Sequence, residues 1–570
     1  MFAPWRDGEV AVKKNKPTKK RSTVKPKPIA TDVLIWKPPL LSLGDYLSYL
    51  LPRLSSKRAM PKWPPDVFGA CMCVLTKCGG YNKGLSNWPP AGTMAKNWAK
   101  SITNLAKDWR VNYLAGTVPS QLEEWWKELL AYWDTELESI ADHRKACQLL
   151  LGLCAAADDA CQGVGIPLDQ NIRLTPNEER FYNYADLMLS RECCGSTLGL
   201  ELHPLNARIL PKMHTPQNGL TSRSLSHHIA LCTATDIKAR WILTPVNQIS
   251  QESINVLIIP WPVDIMPSQF SESSPLPSEM RNMPDKFGFF TVHSNNDAKD
   301  VVRHIEDVYA KAIHRLGSVD WIVLPEAALS PADFEAVQKA FEDKNCVIIS
   351  GIGHQSTKTA RGENRIAIDI PLMETLSQRK HHRWKLDFPQ IRQYGLGGRL
   401  NPKKQWWEHI DLENRELLFF SLRPWMVMSI LICEDLARPD PVGDLVRAVG
   451  PNLVLALLMD GPQLKERWGA RYATTLADDP GCSVLTVTST GMSKLSQPAS
   501  GISRSRVIAL WKDALTGGPV EIELEPGADA VVLSLSVRYQ EEWSADGRSD
   551  GGATGYTLIS GIHPITKGIK

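Results

Sequence analysis

Two apolar runs in the second half of the chain end in residues that can do chemistry. WIVLPEAAL carries Pro325-Glu326, and SILICEDL carries Cys433-Glu434-Asp435. A carboxylate just past a buried strand stands where open α/β sheets place their ligands. A cysteine at a strand-to-helix turn presents its sulfur on a sharp elbow, and a helix N-terminus there lowers its pKa. Either feature alone is weak, because a buried cysteine is usually a small apolar packing residue.

The elements that must position these residues begin near Ser250. From there short β-branched runs alternate with amphipathic helices, the pattern of an α/β domain. INVLIIPW is followed by a helix over Ala298–Leu316, then WIVLP, a helix through PADFEAVQKAFED, and CVIISGIG. Later come WMVMSILI, a helix over 442–449, LVLALL, a helix over 462–476 and SVLTVTS. VIALWKD, VEIEL and AVVLSLSV read as closing paired strands. LVLALL and SVLTVTS do not alternate, so both faces of these strands are expected to be buried.

The first half reads differently. Residues 13–28 are Lys- and Pro-rich without apolar periodicity, so 1–30 is expected to be a disordered basic tail. A tail of this kind is a weak candidate for touching nucleic-acid phosphates. Residues 31–199 read as a mainly α-helical domain: Pro64-Pro65 starts one helix, and Ser120 with Glu123 is a possible capping box ahead of WWKELLAYW. Thr175-Pro176-Asn177-Glu178 starts another. Tyr184-Ala185-Asp186 lacks the second Asp of a polymerase motif and lies in this helix. The stretch 200–249 is polar and poorly periodic, and reads as a linker lying along the surface of the next domain. Its histidines, His203, His214, His227 and His228, have no acidic or Cys partner at ligand spacing and read as packing or capping groups.

Composition bounds the rest. The 570 residues exceed one core and point to two or three domains, and a net charge of +3 gives no global reason for a nucleic-acid or membrane partner. The 12 cysteines lack secreted spacing. Cys147, Cys154 and Cys161 share one helix face, and no second pair completes a zinc set with Cys71, Cys73 and Cys78. No run approaches a membrane span. A cytoplasmic chain with neither metal nor cofactor is expected.

Taken in order, L-P-E at Glu326, R-K-H-H at Lys380 and L-I-C-E-D-L at Cys433 resemble the nitrilase superfamily of carbon–nitrogen hydrolases, and GPNLVLALLMDGPQLKERWGARYATTLADDPGCSVLTVTSTGMS continues the likeness. The resemblance covers about 300 residues. It implies an α-β-β-α sandwich over 250–570, with Cys433 as nucleophile, Glu326 as base and a lysine stabilising the oxyanion. Lys380, followed by His381 and His382, fits the family's K-x-H pattern better than the alternative, Lys385. The family's second Glu is expected at Glu408, with Glu413 and Glu416 competing. The interval before Cys433 is long, implying an inserted loop at 387–404 near the pocket mouth.

The implied activity is hydrolysis of a small amide, or less readily a nitrile, through a thioester. A catalytically silent scaffold and an acyltransferase using the same thioester are the alternatives. Homo-oligomerisation through the helices after the cysteine elbow is expected from the same resemblance. The chain is also similar to nitrilase modules that accompany reverse transcriptases in bacterial defence, although it has no polymerase motif.

Overall fold

The computed structural model describes residues 41–566 apart from 90–92, 168–172, 192–194, 234–235, 245–251, 274–283, 294–297, 356–360 and 498–503. The basic tail 1–30 lies outside the described residues.

Two seven-stranded sheets dominate the second half. In the first, the strands run in the order Leu376–Arg379, Gly362–Asp369, Val347–Gln355, Trp321–Leu329, Ser253–Ile258, Ala528–Gln540 and Thr554–Thr566. In the second the order is Val520–Glu523, Val507–Lys512, Ser483–Thr488, Leu453–Leu458, Met426–Ile432, Glu416–Arg423 and Lys238–Leu243. Leu453–Leu458 and Ser483–Thr488 are buried at every residue, as their non-alternating sequences require.

Helices cover the outer faces. Val301, Ile305, Val308 and Ala312 of Ala298–Leu316 pack with Phe334 and Val337 of Pro331–Ala340 onto Ile322, Leu324, Ile348 and Val532 of the first sheet. The helix Trp468–Asp478 lies against Ser483–Thr488 and Val507–Lys512 of the second. The inner faces share one apolar cluster, in which Val256, Val323 and Ile349 join Phe419, Ile430 and Leu455. A helix–sheet–sheet–helix stack results. The helix after LVLALL begins at Trp468, not at 462, because Pro462 and the residues after it form a turn at the end of the strand.

The closing strands are arranged differently from the expectation. Val507–Lys512 and Val520–Glu523 pair in the second sheet, but Ala528–Gln540 crosses to the first and pairs with Thr554–Thr566. Gly555, Gly561 and Pro564 interrupt the β pattern of that last strand, which hid it in the sequence.

The helical segments Pro64–Cys78, Thr93–Asn112, Ser120–Leu129, Arg144–Ala160 and Pro176–Leu189 precede these sheets. Thr175 and Glu178 form a capping box at the last of them. The expected box at Ser120 is absent: Pro119 is the N-cap and Ser120 already stands in the first turn. Cys147, Cys154 and Cys161 are buried packing groups.

The described residues of 200–249 are built in rather than laid over a surface. Lys238–Leu243 runs parallel to Glu416–Arg423 as the edge of the second sheet, with Trp241 stacked on Phe419. Asp158 accepts the backbone N–H groups of His227, His228 and Ile229, and Arg548 reaches Asp158, Asp159 and Asp546 in the same buried network. Polar residues with buried partners break apolar periodicity, so the segment looked exposed. From Leu41 the chain is one compact unit.

Candidate active site

Four elements bring their ends together. Trp321–Leu329 pairs with Val347–Gln355 in register up to Leu324, and the register then shifts before Leu329. Glu326 sits in that irregular stretch, followed by Ala327 at a φ of 50°. The neighbouring strand allows this only because residue 351 is glycine: a Cβ there would lie 2.4 Å from the Pro325 carbonyl oxygen and 2.5 Å from the Glu326 Cα. Cys433 follows Met426–Ile432 with a φ of 46°. A non-glycine residue in this left-handed region costs roughly 1–2 kcal/mol, and such strain is concentrated at functional turns.

Lys380 follows Leu376–Arg379, and Glu408 ends Gln405–Glu408 in a small four-stranded sheet. The Lys380 Nζ donates to Glu326 Oε1 and Glu408 Oε2, each at 2.7 Å. Asn364 Nδ2 donates to Glu326 Oε1 at 2.7 Å and to Glu408 Oε1 at 2.8 Å. The Met459 N–H donates to Glu326 Oε2 at 2.6 Å, and the Trp384 N–H to Glu408 Oε2 at 3.0 Å. All these side chains and Cys433 are buried.

Burial sets the protonation states. It pushes the Glu326 carboxyl above its ordinary value; Lys380 and Asn364 oppose the shift, and Glu408 adds to it. Burial alone would pull the Lys380 ammonium down, but Glu326, Glu408 and Cys433 together hold it well above the lysine range. The Cys433 thiol is also pushed well up, by burial and then by Glu326, against the pull of Lys380. This reverses the lowered thiol pKa expected from a helix N-terminus. The chain after Cys433 makes only a short 3-10 turn, Cys433–Ala437, so no long helix aims its N-terminus at the sulfur.

The competing candidates stand elsewhere. Lys385 lies over the Trp407 ring at 5.8 Å and is exposed. Glu413 pairs with Arg361 at 3.5 Å, and Glu416 with Arg240 at 3.3 Å. The insertion 387–404 forms the helix Phe388–Gln393 and a turn, packed through Ile391, Tyr394, Leu396 and Leu400 against Phe270, Trp384 and Trp406. Tyr394 hydrogen-bonds Asp460, which follows Met459 directly. Asn364, Asp435 and the Met459 N–H were missed in the sequence.

Neither a family profile nor a curated sequence matches the chain. The similar solved structures are carbon–nitrogen hydrolases of the nitrilase superfamily. An amidase from Nesterenkonia sp. is 13% identical over 50% of this chain and 92% of its own, with a TM-score of 0.31. Nit3 of Saccharomyces cerevisiae, from branch 10 of the nitrilase superfamily, is 13% identical over 51% and 92%, with a TM-score of 0.32. XC1258 of Xanthomonas campestris, a CN-hydrolase superfamily protein, is 15% identical over 50% and 89%, with a TM-score of 0.29. Likenesses this distant decide no residue's role.

Proposed function

We propose that the chain hydrolyses a non-peptide carbon–nitrogen bond, in an amide rather than a nitrile, with Cys433 as nucleophile, Glu326 as base and Lys380 as oxyanion stabiliser. The observation that carries this reading is the buried cluster in which one ammonium serves two carboxylates beside a thiol on a strained elbow.

The chemistry follows from those states. The neutral Cys433 thiol gives its proton to Glu326 as the sulfur attacks the amide carbon, so a carboxylate with a raised pKa is the matching acceptor. The charge developing on the carbonyl oxygen faces the Lys380 ammonium and the backbone N–H after Cys433. Glu326 returns the proton to the departing nitrogen, and ammonia or an amine leaves a thioester on Cys433. Glu326 then takes a proton from water, whose oxygen attacks the thioester and releases the acid and the thiol. Glu408 holds Lys380 as a second carboxylate partner beside Glu326. The substrate is small, and pairing of two copies through the segments Pro441–Val449 and Pro462–Ala477 belongs to the same reading.

The test is acid quenching of the full chain with short primary amides, read by intact mass and ammonia release. An acyl adduct that is absent in Cys433→Ala, with ammonia turned over, supports hydrolysis. An adduct discharged only by an added amine makes the chain an acyltransferase, and no adduct from any amide leaves the scaffold reading.

A further inference from the structure

Asn364 lies in the strand Gly362–Asp369, between the two carboxylates that share Lys380. Its side chain is buried, at 3% exposure. Ionised carboxylates only accept hydrogen bonds, so chemistry fixes the orientation of the amide: the nitrogen must face both glutamates. That leaves Asn364 Oδ1 buried without a partner. Buried acceptors are rarely left unmade, and here both amide hydrogens are committed to the carboxylates at the oxygen's expense.

We propose that Asn364 is a positioning residue of this site, an amide clamp that holds Glu326 and Glu408 side by side and keeps Glu326 ready to accept the thiol proton. The argument is one of charge. Two carboxylates and one ammonium leave a net negative charge when all are ionised, in a place buried from bulk solvent. Repulsion of that kind drives one carboxyl to keep its proton. The Nδ2 group donates to each carboxylate and stabilises both anions, and its contribution lowers the Glu326 value against burial and Glu408. A protonated Glu326 could not take the proton of Cys433. Lys380 supplies charge to the pair, the Met459 and Trp384 N–H groups each serve one carboxylate, and Asn364 is the neutral donor that both share, which fixes the distance between them.

The inference rests on Glu326 being the base proposed above, and its test needs no substrate, so the two can fail separately. The full chain is labelled with carbon-13 at the glutamate carboxyl, and the Glu326 signal is identified by its loss in Glu326→Gln. Its titration is followed from about pH 4 to about pH 9 in wild type, Asn364→Leu and Asn364→Ser. The midpoint should rise by roughly 0.5–1 unit in Asn364→Leu and by less in Asn364→Ser, which keeps one donor. A merely structural role would change stability but leave the midpoint in place, and an unmoved midpoint in the variants overturns the proposal. Should a variant fail to fold, the wild-type side-chain amide of Asn364 gives the same answer. Its nitrogen-15 signal should shift with the Glu326 midpoint, and an amide indifferent to that titration overturns the clamp.

Discussion

Asp435, two residues after Cys433, accepts the backbone N–H of His381, the residue after Lys380, at 3.1 Å to each carboxylate oxygen. The His382 N–H and the Nδ1 atoms of both histidines close on the same carboxylate. The elbow that carries the sulfur and the loop that carries the ammonium are therefore fastened to each other by one buried side chain. The residues that trail Lys380 and those that trail Cys433 thus bind each other.

Removing Asp435 should show in stability first. Burial would raise its pKa, but the two histidines outweigh burial and hold the carboxyl well below the usual carboxylate range. A depressed folded value stabilises above the unfolded pKa of ~3.9, and that contribution is lost as pH falls from there toward the folded value. Asp435→Ala leaves buried donors unpaired and should cost roughly 3–5 kcal/mol near neutrality. Urea unfolding should show this penalty at pH 7, and it should shrink below about pH 4. An equal penalty at every pH would mean that the carboxylate charge is irrelevant.

Glu326 titrates with the opposite sign. Its folded pKa is raised, so its contribution to stability is present below the unfolded value of ~4.3 and is lost as pH climbs through the folded value. Activity runs the other way, because the base must be ionised. Turnover of a short amide should rise with pH along a limb set by Glu326, lying above the ordinary carboxylate range. Glu326→Gln should lose roughly 10²-fold or more in kcat while stability no longer falls over that window. A rate profile flat from about pH 4 upward would remove Glu326 from the role.

The two lysines of RKHHRWKLD can be separated by one comparison. Lys380→Met removes the ammonium between two carboxylates and should cost ~10²–10³-fold in kcat. Lys385→Met loses only an exposed contact with Trp407 and should stay within ~0.5 kcal/mol of wild type in stability. Cys433→Ser keeps the geometry and replaces the thiol with a much weaker nucleophile, so the acyl adduct should vanish. Survival of turnover in Cys433→Ser would remove Cys433 from the role of nucleophile.

How much of this was legible depended on whether a residue's partner lay near in sequence or in pattern. Strands such as LVLALL and the helix Ala298–Leu316 followed from pattern, and the placing of Lys380 beside Glu326 from the motif resemblance. Asn364 and Met459 were not visible, because one is a side chain and the other a backbone N–H that matter only through a carboxylate on another strand. The thiol's protonation was misread for a related reason. A helix end was expected to govern it, but burial and the approach of Glu326 decide it, and burial is a property of the whole fold. The crossing of Ala528–Gln540 to the first sheet was hidden because adjacency in sequence suggested pairing with VEIEL.

Gly351 gives the sharpest test of how tightly Glu326 is placed. The atoms that a new Cβ would meet are all backbone: the Pro325 oxygen at 2.4 Å, the Glu326 Cα at 2.5 Å and the Ala327 nitrogen at 2.6 Å. None can swing aside as a side-chain tip would, so Gly351→Ala must push the irregular stretch bearing Glu326 away from Val347–Gln355. The overpacking should cost roughly 1–3 kcal/mol. The larger effect should be on turnover, since misplacing a catalytic group by about 1 Å costs on the order of 10²-fold. Gly397→Ala is the control: nothing lies within 4 Å of its added Cβ, and it should change stability by less than about 0.5 kcal/mol. Thermal unfolding and ammonia release measured on both variants decide the matter. A Gly351→Ala protein that keeps wild-type turnover would show that Glu326 needs no such tight seat.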